Sequence, residues 1–119
     1  MTYSAKGEKV SVNELPWKGR PNVLPEDVAG ALEQGLCFSV LDVRTHPEFA
    51  ACHIPGAMLV PIDTLPEEMD TIGRDTDWVV VCEHGIRSRS ATEYLRQNGY
   101  ERVCNMVGGM ANWPGPVVR

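Results

Sequence analysis

Apolar and polar positions along the chain alternate between two periods, short β-branched runs and stretches with helical spacing. Trp78-Val79-Val80-Val81 is continuous and apolar and follows Asp77, as expected of a strand buried on both faces of a parallel sheet. From Ser88 onward Ala91, Tyr94, Leu95 and Asn98 fall at helical spacing, and Gly99 stands where a left-handed C′ residue belongs. The pattern predicts a helix over Ser88–Asn98. Upstream, Asn22-Val23-Leu24 leads into Pro25-Glu26-Asp27, proline and acids suited to a first helical turn. Val28, Ala31 and Leu32 form that helix's apolar stripe and Gly35 closes it. Phe38–Asp42 is the next strand. A strand, a helix and a strand in this order imply a parallel sheet with right-handed crossovers.

The intervening segments fit the same scheme. A helix is expected from Thr45 or His46 to Ala51, capped by Thr45, with Pro47 and Glu48 in its first turn and Phe49 facing inward. His53-Ile54-Pro55-Gly56-Ala57 reads as a turn, and Met58-Leu59-Val60 as a short strand that Pro61 ends. A helical turn follows through Leu65 to Met69, then a loop from Gly73 to Asp77. Arg102-Val103-Cys104-Asn105 makes the last strand, and Gly108-Gly109 turns the chain into a short helix ending at Trp113. Trp113 and Tyr94 are expected in the core, Cys104 as packing, and Trp78 partly exposed at a sheet end. Residues 1–21 read as an N-terminal extension with a short edge strand around Lys9–Val12, pinned by Trp17. Residues 22–119 form the domain.

Composition narrows the class. At 119 residues and 43% hydrophobic content the chain suits one domain with a respectable core. A net charge of -5 argues against a nucleic-acid surface. No apolar run is long enough to span a membrane and no leader pattern is visible, so a cytoplasmic location is expected. Cys37, Cys52, Cys82 and Cys104 contain no C-x-x-C pair and read as free thiols. His46, His53 and His84 lack metal-ligand spacing. No metal or cofactor is expected.

The candidate chemistry lies in Cys82-Glu83-His84-Gly85-Ile86-Arg87-Ser88, a strand-to-helix turn at the carboxyl end of a buried strand, where open parallel sheets bind ligands. Gly85 can supply a conformation that lets the backbone N–H groups of residues 83 to 87 curl around the sulfur. The helix start adds its positive end. A free cysteine titrates at about 8.5, and such surroundings lower that value. Arg87 offers a fork of donors to an incoming anion or persulfide, and Ser88 closes the loop. Glu83 opposes the thiolate, so a moderate shift is expected. His84 can shuttle a proton or steer an anion, or simply face solvent.

Four stretches together resemble rhodanese-like sulfurtransferase domains: Asp42-Val43-Arg44 with Glu48-Phe49, His53-Ile54-Pro55-Gly56-Ala57, the Cys82–Ser88 loop, and Gly108-Gly109 with Trp113. They occur in that family's order and spacing, from about Val23 to Trp113. The resemblance implies an α/β, rhodanese-like three-layer fold with a central five-stranded, mainly parallel sheet flanked by helices. It implies a ping-pong sulfurtransferase in which Cys82 accepts sulfane sulfur as a persulfide and passes it to a thiophilic acceptor such as cyanide or a thiol. The expected partners are thus a small-molecule or protein sulfur donor and a thiol acceptor. A non-enzymatic docking or redox-sensing module is the alternative, which an intact Cys82 and Arg87 disfavour. A phosphatase or arsenate reductase is disfavoured by loop register, with Arg87 five positions after Cys82 and Ser88 six. Asp42 and Arg44 read as an ion-paired scaffold beneath the loop rather than an acid–base pair. Three positions depart from the family. Cys52 stands where members often have glycine, and is strained if that position requires a positive φ; it is alternatively a second redox thiol or an ordinary one. Glu83 and His84 replace the basic residues of thiosulfate-favouring members, which argues against thiosulfate as the physiological donor.

Overall fold

The computed structural model of the chain describes residues 2–3, 9–10 and 14–119. The N-terminal strands β1 (Thr2–Tyr3) and β2 (Lys9–Val10) pair with each other, antiparallel. The edge strand expected at Lys9–Val12 is therefore half of a separate two-stranded ribbon, and Val12 lies outside the described residues.

The body follows as β3 (Asn22–Val23), α1 (Pro25–Glu33), β4 (Ser39–Asp42), α2 (His46–Ala51), β5 (Met58–Leu59), α3 (Leu65–Glu68), β6 (Trp78–Val81), α4 (Ile86–Gln97) and β7 (Val103–Met106). A single 3₁₀ turn, Met110–Asn112, replaces the last expected helix. The five-stranded sheet has the order β3-β7-β6-β4-β5, and every neighbouring pair runs parallel. "Mainly parallel" thus becomes wholly parallel, because each connection crosses over rather than turning back as a hairpin.

β6 is the central strand, and its residues alternate between two cores. Trp78 and Val80 join Leu41, Leu65, Ile72 and Leu95 on the face covered by α3 and α4. Val79 and Val81 join Val28, Ala31, Ile54 and Met106 on the face covered by α1. Val79, Val80 and Val81 are fully buried, which stabilises the fold by about 1.5–3 kcal/mol each. Leu15 and Trp17 pack into the α1 face, where Trp17 meets Phe38 edge-on at 5.3 Å.

Several expectations change in detail. α4 starts at Ile86, two residues before Ser88, because Gly85 adopts φ 87° as its N-cap and frees the next residue to be helical. Its far end closes as expected, with Gly99 at φ 91° and Tyr100 N–H donating to Leu95 O at 3.0 Å. Trp78 is buried rather than partly exposed, and its Nε1 donates to Gly73 O at 2.7 Å. Phe49 is only half-buried, since its ring stacks on His53 at 3.6 Å instead of entering the core. Tyr94 and Trp113 pack against the two cores while remaining partly exposed. Among the described residues no helix is long and apolar enough to cross a membrane.

Candidate active site

Cys82 follows the last residue of β6 and is 1% exposed. The turn after it folds back on the sulfur. Backbone N–H groups of Gly85 and Ser88 donate to Sγ at 3.1 and 3.3 Å. Ser88 is the third residue of α4, whose N-cap glycine has no side chain to satisfy that N–H. Sγ therefore serves as the cap acceptor for α4 and sits at the positive end of the helix. The Ser88 hydroxyl lies 3.3 Å from Sγ and takes the thiol's hydrogen bond.

Two influences oppose each other at the sulfur. Burial pushes the Cys82 thiol up, while hydrogen bonds from the Ser88 side chain and the N–H groups of Ser88, His84 and Gly85 bring it down, and the balance lies below the ordinary cysteine value. The Ser88 hydroxyl contributes to that lowering only when it donates to sulfur; here its proton is given to Asn105 Oδ1 at 2.6 Å. At Cys104 burial wins over the smaller lowering effect of the Arg96 charge, and the thiol is raised to about 11.

The loop is held from two sides. Beneath it, Asp42 and Arg44 are both buried, and Arg44 donates from Nε to Asp42 Oδ1 and Oδ2 at 3.0 and 3.1 Å and from Nη2 to Oδ2 at 2.8 Å. The same guanidinium reaches Cys52 O at 2.6 Å and Glu83 Oε1 at 3.3 Å. It thereby ties β4, the turn before β5 and the cysteine loop into one rigid unit. From above, the Gly108-Gly109 turn presses against the loop backbone: Met110 N–H donates to Cys82 O at 2.8 Å and Ala111 N–H to Glu83 O at 2.9 Å. A Cβ on Gly85 would meet Gly108 N at 2.7 Å.

Two expected site residues, Arg87 and Glu83, stand differently from the sequence reading, and Cys52 is the ordinary thiol among its alternatives as far as backbone strain goes. The Arg87 fork is taken by Glu48, with Nη1 and Nη2 donating to its two carboxylate oxygens at 2.8 and 2.9 Å. Glu83 points its carboxylate to Arg44, which offsets its opposition to a thiolate. Cys52 has φ −171°, ordinary extended backbone, and carries no strain. His84 is exposed. Ile86, 75% exposed, borders with Arg89, Val107 and Asn22 an open cleft of about 590 Å³ beside the loop.

The sequence reading named Glu48 but missed its pairing with Arg87, and it missed the hydrogen bond of Asn105 to Ser88 and the buttressing role of Gly109. Glu48 carried a signal, since it already completes a capping box with Thr45. Asn105 stood as a polar residue in an otherwise apolar strand, which asks for a buried partner.

A family model described as the rhodanese-like domain matches residues 24–115. The chain belongs to this family. A relative named sulfurtransferase, from Allochromatium vinosum, is 42% identical over 74 residues, covering 62% of this chain and 69% of that protein. A thiosulfate sulfurtransferase, GlpE of Tolumonas auensis, is 36% identical over 85 residues, covering 71% and 80%. The crystal structure of a rhodanese-related protein from Thermoplasma volcanium superposes with a TM-score of 0.75 at 31% identity, covering 82% of this chain and 96% of that one. The matched residues of this rhodanese-like chain take in the cysteine loop, Asp42 and Arg44, and the Gly108-Gly109 turn.

Proposed function

We propose that this rhodanese-like protein is a sulfurtransferase that carries sulfane sulfur on Cys82. The observation that carries the reading is the capture of a buried Sγ by two loop N–H groups at a helix N-terminus. Relatives named as sulfurtransferases support it.

The chemistry follows from the surroundings of the sulfur. The Cys82 thiolate attacks the outer sulfur of a donor, a new S–S bond forms, and the donor's old bond to that sulfur breaks with its electron pair leaving on the donor. The resulting persulfide anion places negative charge within reach of the same N–H groups, which stabilise it as an oxyanion hole stabilises oxygen. An acceptor nucleophile then attacks the outer sulfur, and Cys82 leaves as thiolate. Its lowered pKa makes it a better leaving group and raises the share of thiolate available to attack. Arg87, fixed by Glu48, holds the helix start and keeps a positive charge close by, while Asp42 and Arg44 keep the loop in shape. The donor and acceptor are a small molecule or a protein thiol system.

Steady-state kinetics with cyanide as acceptor test the cycle. Parallel double-reciprocal lines with thiosulfate or a low-molecular-weight persulfide as varied donor are expected of a ping-pong enzyme. Turnover that survives Cys82→Ser unchanged would contradict the assignment.

A further inference from the structure

The Ser88 hydroxyl has one hydrogen and two neighbours that compete for it. It accepts from the Cys82 thiol at 3.3 Å and gives its own proton to Asn105 Oδ1 at 2.6 Å. Asn105 in turn donates from Nδ2 to Asn22 Oδ1 at 3.3 Å. Cys82, Ser88 and Asn105 are buried, whereas Asn22 lies at the surface on β3. Every donor in this line points outward from the sulfur.

That arrangement suits a thiol. A thiolate has no proton to give, and it needs the Ser88 proton for itself. If the hydroxyl simply turned toward sulfur, Asn105 Oδ1 would become a buried acceptor without a donor, at the cost of its desolvation. A carboxamide can resolve the conflict in place, because rotation about its last bond exchanges an acceptor for a donor of nearly the same shape. Nδ2 then donates to Ser88 Oγ, and Oγ–H donates to the sulfur. At the far end the exposed Asn22 amide turns likewise, or water takes its place.

We propose that Asn105 is a positioning residue whose side-chain amide turns over as Cys82 ionises, and by turning directs the Ser88 proton to the thiolate. The thiol proton leaves to solvent, and no covalent bond other than S–H changes. The inference rests on the proposed function for the identity of Cys82 as the reacting thiol. Its test does not need sulfur transfer: a chain whose Cys82 behaves as described below but never forms a persulfide would refute the proposed function alone.

The experiment is the pH dependence of Cys82 alkylation by iodoacetamide, followed by mass on the Cys82 peptide, in a double-mutant cycle of Asn105→Asp and Ser88→Ala. Aspartate offers Ser88 only acceptors. With Ser88 present, Asn105→Asp is expected to slow alkylation at neutral pH by roughly threefold or more and to move the profile to higher pH. In the Ser88→Ala background the same substitution is expected to do much less, since the path through the hydroxyl is gone. Equal shifts in both backgrounds would mean that the new charge acts through space, and would overturn the proposal. Asn22→Asp repeats the test at an exposed site where folding is not at stake. It pins the Asn105 amide with Nδ2 outward and is expected to slow alkylation in a Ser88-dependent way, and a change independent of Ser88 would overturn the proposal equally.

Discussion

Gly109 and Glu83 touch backbone to backbone. A Cβ on Gly109 would lie 2.5 Å from the Glu83 carbonyl oxygen, and the glycine holds φ 64° and ψ −160°, a region closed to other residues. The N–H groups that follow it satisfy the carbonyls of Cys82 and Glu83. The glycine turn therefore fixes the backbone of the cysteine loop, while Arg44 holds the Glu83 side chain.

Gly109→Ala is accordingly expected to cost roughly 2 kcal/mol or more in urea unfolding, through strain and displacement of the loop. The Cys82 alkylation profile should move toward that of an ordinary cysteine in the same variant. Unchanged stability together with an unchanged profile would show that the two turns are not coupled.

Removing the Arg44 side chain leaves the buried Asp42 carboxyl with the backbone N–H of residue 44, at 3.0 Å from Oδ1, in place of the guanidinium, while the Cys52 carbonyl and Glu83 lose their donor. Arg44→Met should destabilise by about 3–5 kcal/mol, the usual cost of breaking a buried pair from one side. Denaturant titration measures it directly. A loss below about 1 kcal/mol would place the pair among those that surface solvent screens.

The Glu48–Arg87 pair behaves differently because both side chains are about one-third exposed, 30% and 35%. Its stability contribution at neutral pH should stay within about 1 kcal/mol. Hydrogen bonds from Arg87, against a smaller opposing effect of burial, hold Glu48 at about 2, below its ordinary 4.5. An acid held low stabilises the fold above its ordinary value, and that contribution is lost as pH falls from 4.5 toward 2. Unfolding midpoints across this range should fall less steeply in Glu48→Gln than in the parent. The same substitution frees the Arg87 fork and should speed loading by an anionic donor such as thiosulfate.

Much of this organisation was legible in the chain. The β-branched run at Trp78–Val81, the proline and acids opening α1, and Gly99 closing α4 each mark an element or its end by a local rule, and the structure follows each rule at that point. Local rules also placed Cys82 at the strand end and gave Gly85 its left-handed turn. They could not give the partners of long polar side chains. Arg87 and Glu48 are 39 positions apart, and so are Arg44 and Glu83. Which acid an arginine chooses depends on how β4 and β6 lie side by side, a tertiary fact. Asn105 showed in the sequence only that it needed a buried partner; its partners Ser88 and Asn22 were unreadable, because they come from different elements that meet only in the folded sheet.

The two buried cysteines should separate chemically. Cys82 is drawn below the ordinary value and Cys104 is pushed up to about 11 by burial. Limited alkylation of the folded chain at neutral pH should modify the Cys82 peptide and spare the Cys104 peptide, with both modified in denaturant. Protection of Cys82 equal to that of Cys104 would contradict the loop's effect on the sulfur.

The most direct measurement of the central claim is the mass of the Cys82 peptide after the reduced protein meets thiosulfate and, separately, a low-molecular-weight persulfide. That peptide is expected to gain one sulfur atom, removed by cyanide and absent in Cys82→Ser. A folded, fully reduced protein that gains no sulfur from either donor, or gains it on a different cysteine, would contradict it.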